Sequence, residues 1–347
     1  MTDELRGTAG RRQFLQAAGG LGVAATFAAL ISRTKFGTAA YTVPGYGKLH
    51  PAKDDATGLE LLCLPDGFRY RSFGWTGDPM SDGTITPGAH DGMGIIKEAD
   101  GIITIVRNHE LVRRTSSFGT ADIQFDPQGG GGCANLTFNS DTGEWLEARP
   151  SLAGTVKNCA GGPTPWGTWL SCEESVLGPG DAEGDEVFEF EKDHGWIFEV
   201  SADGNRKPVP LKAMGRFVHE AIAVDPDTGF IYETEDRTVA GFYRFMPHTP
   251  EQLADGGQLQ MLKVAGRDDL RTGLKIGQEF DVTWVDIEDA QRAHSPNSAG
   301  DEHGVFMQGK AQGAATFARL EGCWYGHQRI YLDSTSGGDR GLGQIWQ

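Results

Sequence analysis

Residues 221–233 read A-I-A-V-D-P-D-T-G-F-I-Y-E, and this stretch decides the fold class. Two short runs of β-branched, aromatic and small apolar residues flank D-P-D-T-G, a turn whose glycine suits the left-handed position that closes a hairpin. The same grammar recurs on both sides. Residues 136–138 and 144–148 flank N-S-D-T-G, 195–200 run into S-A-D-G, and 241–245, 260–264 and 323–332 supply further strand-like runs. Toward the N-terminus, 59–64 and 102–106 read as strands, and 67–75 alternates aromatic and polar residues like another. Short strands at near-regular spacing predict an all-β chain of meandering antiparallel sheets, as in a β-propeller. No clean period can be written down, so a sandwich or barrel is the alternative. Helical periodicity is sparse: only 250–253, with Thr249 as cap and Pro250 at the first helical position, predicts a single turn. The Gly/Asp/Pro-rich stretch 76–94 reads as a long loop, and the polar, irregular segment 268–298 as an insertion.

The 347 residues suffice for one large all-β domain or two ordinary ones. Glycine, at 50 residues, is about twice its ordinary usage and points to tight turns. A formal net charge of -17 argues against a nucleic-acid partner, because no basic field exists to neutralise phosphates. It also repels a small anionic substrate unless local cations reverse the potential. At the N-terminus, G-R-R-Q-F-L at 10–15 precedes a Gly/Ala-rich apolar run at 17–31 and the small residues T-A-A at 38–40. This predicts a twin-arginine signal peptide over 1–40 and a mature domain over 41–347. The expected partner is the twin-arginine export machinery and the expected location periplasmic or extracellular. The apolar run is too short for a stable membrane anchor. The five cysteines are odd in number with no framework spacing, and Cys159 is the expected free thiol.

Chemistry concentrates at 158–174, N-C-A-G-G-P-T-P-W-G-T-W-L-S-C-E-E. A strand at 168–172 would hold Glu173 and Glu174 rigidly at its end. Thiolate favours zinc or iron, while carboxylates favour calcium, magnesium or manganese. The bland alternative is a buried cysteine near a solvated acidic edge. Asn108-His109-Glu110 ends a predicted strand and either ties a loop or supplies ligands. His219-Glu220 opens another, and Glu233-Thr234-Glu235-Asp236-Arg237 ends the next. Arg319 and Glu321 stand two apart, on one face of an extended strand. They form either a structural ion pair or a metal-bound carboxylate beside a cation that grips an oxyanion. The four-glycine run 129–132 lacks the helix and lysine of a phosphate loop and reads as a turn.

These residues together resemble the PhoX-type alkaline phosphatases, an exported, metal-dependent family. The resemblance is carried by the twin-arginine leader, Asn108-His109-Glu110, the 158–174 block, G-R-F-V-H-E at 215–220, Y-E-T-E-D at 232–236, R-L-E-G at 319–322 and G-L-G-Q-I-W at 341–346. It implies a β-propeller with a Ca2+ and Fe3+ cluster near its axis and hydrolysis of small-molecule phosphate monoesters. It further implies Cys159 and Glu220 on iron, Glu174 and Glu321 on calcium or bridging, and Arg319 beside the bound phosphate. Asn108, His109, Glu110 and Asp236 would lie near the site, with Glu173 and His219 beside them. Family members continue beyond the segment that ends this chain, adding closing strands and a further acidic ligand. The alternatives are a calcium-dependent propeller hydrolase such as a lactonase, or a truncated non-catalytic propeller binding a phosphorylated ligand or a protein.

Overall fold

The computed structural model describes residues 45–113, 118–183, 186–295 and 303–347; the predicted leader lies outside them. The chain divides into two compact units, with the boundary between Phe73 and Gly74. In the first, β1 (Leu49–Lys53) pairs antiparallel with β2 (Glu60–Pro65). The strand expected over 67–75 does not form. Asp54 takes the place of a ladder partner there, accepting hydrogen bonds from the Ser72 amide at 2.7 Å, from Ala56 and from Thr57. A carboxylate that gathers backbone donors in this way competes with strand pairing.

The second unit is built from antiparallel meanders in chain order. The first sheet runs β3 (His90–Ala99), β4 (Ile102–His109), β5 (Gly131–Asn139) and β6 (Glu144–Thr155). Next come β7 (Asn158–Pro163) and β8 (Thr168–Glu173), the small ribbon β9 (Ala182–Glu183) with β10 (Glu186–Val187), and β11 (Ile197–Ser201), which pairs with β8. A sheet of β12 (His219–Val224), β13 (Ile231–Glu235), β14 (Phe242–Pro247), β15 (Gly257–Val264) and β16 (Val282–Asp286) follows. After α1 (Val305–Ala311), the last sheet is β17 (Leu320–Gly326), β18 (Arg329–Ser334) and β19 (Gln344–Trp346). In each sheet the earliest strand is an outer member, and these strands meet: β7 packs on β3 and on β12, and β12 on β17.

The turns form where local chemistry predicts them. Gly229, at φ 72°, donates its amide to Asp225 O, while the Thr228 hydroxyl donates to the Asp225 carboxylate at 2.7 Å. Gly143 repeats that geometry at the β5–β6 hairpin. Between the β7 and β12 sheets, Leu170, Ile197, Phe217, Ile222, Tyr243, Phe245 and Met261 form a buried core. Each such side chain contributes about 1.5–3 kcal/mol on leaving water. Two expectations shift. The turn at 250–253 is displaced to a 3-10 helix at Leu253–Asp255, anchored by the buried Leu253. The segment 268–298 is not wholly irregular, since β16 completes a sheet within it.

Candidate metal centre

The centre is built at three of the meeting strands by one backbone device. In β7, Asn158 pairs with Glu173 and Gly161 with Ser171, so Cys159 and Ala160 together oppose Cys172. In β12, His219 pairs with Glu235 and Ile222 with Glu233, leaving Glu220 and Ala221 opposite Thr234. In β17, Leu320 pairs with Ser334 and Cys323 with Leu332, leaving Glu321 and Gly322 opposite Asp333. Each is a β-bulge, which kinks its strand and re-aims a side chain that regular alternation would place elsewhere. The second bulge residue is small in every case. Gly162 serves the same close packing. A Cβ there would lie 2.3 Å from Ile222 O, so only glycine lets β7 run directly against β12.

Three carboxylates result whose oxygens lie within 4.8 Å of one another: Glu174 just beyond β8, Glu220 on β12 and Asp236 just beyond β13. Cys159 is buried beside them, its Sγ 3.4 Å from His219 O and 3.7 Å from Glu220 O. Arg319 closes one side. Its guanidinium donates to both Asp236 oxygens, at 2.8 and 2.7 Å, and to Glu321 Oε1 at 2.8 Å. Arg319 and Glu321 therefore meet, though not as neighbours on a regular strand: Arg319 sits before β17 at φ 46°, and Glu321 is in the bulge. On the opposite side the Lys157 ammonium stands 2.6 Å from Glu174 Oε2 and 3.6 Å from Glu110 Oε1. Nothing in the sequence marks Lys157, because a lysine between two strands looks like any solvated turn residue.

Crowding of like charge and burial shift the protonation of these groups. Burial, and then the charge of Glu174, push the Glu220 carboxyl up to about 8. Burial also raises the Glu174 carboxyl, with Lys157 opposing the shift. The Cys159 thiol is held well above its ordinary range by burial and by the charge of Glu220. Hydrogen bonds to Asp236 keep Arg319 firmly protonated. Excess negative charge in a partly buried cluster is what a polyvalent cation relieves. Carboxylate oxygens suit hard cations, and an adjacent thiol suits iron or zinc, so the donor set fits a mixed site.

The remaining candidates hold the walls. Asn108, buried on β4, donates to the carbonyls of Cys159 and Ala160, at 3.2 and 2.6 Å, and accepts from Trp169 Nε1 and Ser171 Oγ. It pins the β7 bulge without facing the carboxylates. His109 bonds Gly88 O through Nδ1, and burial takes its pKa down to about 3. His219 is buried against Phe217 and likewise lowered to about 3. Glu173 turns away from Glu174. Its oxygens accept from the amides of Val156, Gly195 and Trp196 and from His194 Nδ1 at 2.7 Å. Glu110 touches the centre through Lys157.

A family model described as alkaline phosphatase PhoX matches residues 44–151 and 147–347. Among solved structures, PhoX from Pseudomonas fluorescens in complex with vanadate, a transition state analogue, is similar in fold. The TM-score is 0.56 at 17% identity, covering 81% of this chain and 70% of that one. No curated protein matches the sequence.

Proposed function

The chain belongs to the alkaline phosphatase PhoX family, and from that premise we propose that it is an exported, metal-dependent phosphomonoesterase. The observation that carries this reading is the convergence of Glu174, Glu220 and Asp236 beside Cys159, with Arg319 alongside. In this proposal Cys159 and Glu220 hold iron, Glu174 and Glu321 hold calcium or bridge, and Asp236 completes the wall. Each meander is a propeller blade, and the meeting strands β3, β7, β12 and β17 line its axis. Residues 1–40 direct the chain through the twin-arginine route to the periplasm or beyond.

When bound, the cations supply Lewis-acid polarisation of the phosphoryl oxygens, a lower pKa for the attacking water and neutralisation of the leaving oxygen. The side chains do the rest. Arg319 is held by two carboxylates in a fixed plane, ready to offer N–H groups to the equatorial oxygens where charge accumulates. Asp236 and Glu321 set its direction and keep it charged. Cys159 is too deeply buried and too firmly protonated to serve as a free nucleophile. Vanadate bound to the Pseudomonas fluorescens relative is the type of oxyanion Arg319 would meet here.

The test is elemental analysis of the purified protein together with turnover of a chromogenic phosphate ester. Calcium and iron should both be present, and Arg319→Ala should lower kcat/KM by about 100-fold or more while retaining the metals. A metal-loaded wild type that leaves phosphate esters intact, or that turns over lactones instead, defeats the reading.

A further inference from the structure

The two side-chain cations at the centre share a backbone feature. Lys157, in the link between β6 and β7, has φ 51°, and Arg319, just before β17, has φ 46°. A residue that carries a Cβ enters this left-handed region at a cost of about 1–2 kcal/mol and stays there only when its surroundings over-determine it. Around Lys157 they do. Its amide donates to Leu111 O at 2.9 Å, and its carbonyl accepts from the Glu174 amide at 2.9 Å. Those two bonds lie next to the two carboxylates that the side chain meets, Glu174 Oε2 at 2.6 Å and Glu110 Oε1 at 3.6 Å. The strained backbone therefore aims the ammonium at the cluster.

The two cations differ in kind. Arg319 is a planar fork that grips Asp236 through two parallel bonds and reaches Glu321 as well. The Lys157 ammonium is a compact point charge on a flexible stem, closer to a small metal ion in what it offers a carboxylate. We infer that Lys157 is a resident cation of the centre, one that competes with a divalent ion for Glu174 and so sets how tightly the ion is held. The inference rests on the metal-centre reading above. A doubly charged ion drawing on Glu174 must either displace the ammonium or be repelled by it at close range. Displacement is open to it, because the Lys157 side chain is 32% exposed and its charged end can withdraw into water. In the ion-free centre the same ammonium offsets the carboxylate that no other cation contacts among the described residues.

The experiment compares the wild type with Lys157→Met, each stripped with chelator and then titrated with calcium alone. Methionine keeps the stem and the same left-handed backbone, so the comparison isolates the charge. The stripped variant should melt below the stripped wild type, because Glu174 loses its counter-ion. Its calcium affinity should nonetheless rise by about tenfold or more, and calcium should raise its melting temperature further than it raises that of the wild type. A lysine that only braces the link gives a lower melting temperature with calcium affinity unchanged or weaker, and that result overturns the inference. Lys157→Arg keeps a cation and should return the affinity toward the weaker wild-type value; affinity as tight as that of Lys157→Met would overturn it too. Should Lys157→Met not fold, the wild type decides. Labelling of Lys157 by an amine-acetylating reagent, read by peptide mass spectrometry, should increase when calcium is added, and labelling unchanged or decreased sinks the inference. Wild type that takes up no cation defeats the metal-centre reading itself, whereas a wild type that binds calcium as tightly as Lys157→Met defeats this inference alone.

Discussion

Ionising Glu220 adds a negative charge beside Glu174 and Asp236, and its carboxyl accordingly keeps its proton up to about 8 against an ordinary value of 4.5. A folded-state pKa raised above the unfolded one means that the native state binds the proton more tightly. Stability is then lost as pH rises from the unfolded value through the folded one. Asp91 and Glu174 are shifted in the same direction and add to the slope. Chelator-stripped protein should therefore melt at progressively lower temperature between about pH 5 and pH 8. Glu220→Gln should flatten part of that decline, and the loaded protein should not show it, because bound cations stabilise the ionised carboxylates. Calorimetry across this range checks it. Parallel pH profiles for stripped wild type and Glu220→Gln would show that Glu220 is not under the electrostatic load assigned to it.

At the scale of elements, the centre depends on how closely β7 lies between β8 and β12. Gly162→Ala would bring a methyl against Ile222 O, a backbone atom that cannot swing aside. The strand must shift, at an expected cost of about 1–3 kcal/mol measured by urea denaturation. Because the same shift carries the Cys159 bulge away from Glu220, metal content should fall with stability; full metal content in a destabilised Gly162→Ala would separate the two. A second tie lies behind Glu174. His194 is buried between Glu173 and Asp126, and although burial opposes its charge, the neighbouring carboxylates raise it to about 9. The protonated form is the one the fold stabilises, so this contribution is whole below about pH 6.5 and is lost as pH rises through about 9. His194→Ala should cost about 3–5 kcal/mol, the penalty for stranding two buried carboxylates. These elements also show what a single chain of letters discloses. The D-T-G turns are legible because every hydrogen bond in them is local. The Cys159, Glu174, Glu220 and Asp236 motifs are legible as chemistry, but the bulges that bring them together depend on pairing between strands and leave no local mark. The Glu173-Glu174 pair is equally opaque, since only the positions of Gly195 and Trp196 show which carboxylate is already satisfied.

For the whole molecule, a net charge of -17 means that two different electrostatic burdens must be told apart. One is diffuse repulsion over the surface, which any salt screens, with a Debye length of about 10 Å at 0.1 M. The other is the local crowding of Glu174, Glu220, Asp236, Glu321 and Asp91, set among β3, β7, β12 and β17 and offset by Lys157 and Arg319 alone among the described contacts. Monovalent salt relieves the first and reaches partly buried carboxylates poorly. A polyvalent cation relieves the second, and it stabilises by mass action, by about 2.7 kcal/mol at a hundred times its dissociation constant. For a unit of this size that corresponds to roughly 5 °C or more in melting temperature. Chelator-stripped protein should thus gain a few degrees from sodium chloride and clearly more from calcium at equal ionic strength. The calcium increment should shrink in Glu174→Gln, whose carboxylate is assigned to calcium, while the sodium increment should not. If sodium at matched ionic strength reproduces the whole calcium effect, the converging carboxylates are only part of an acidic surface. The two burdens would then be one, and the centre would have no claim to hold a specific ion.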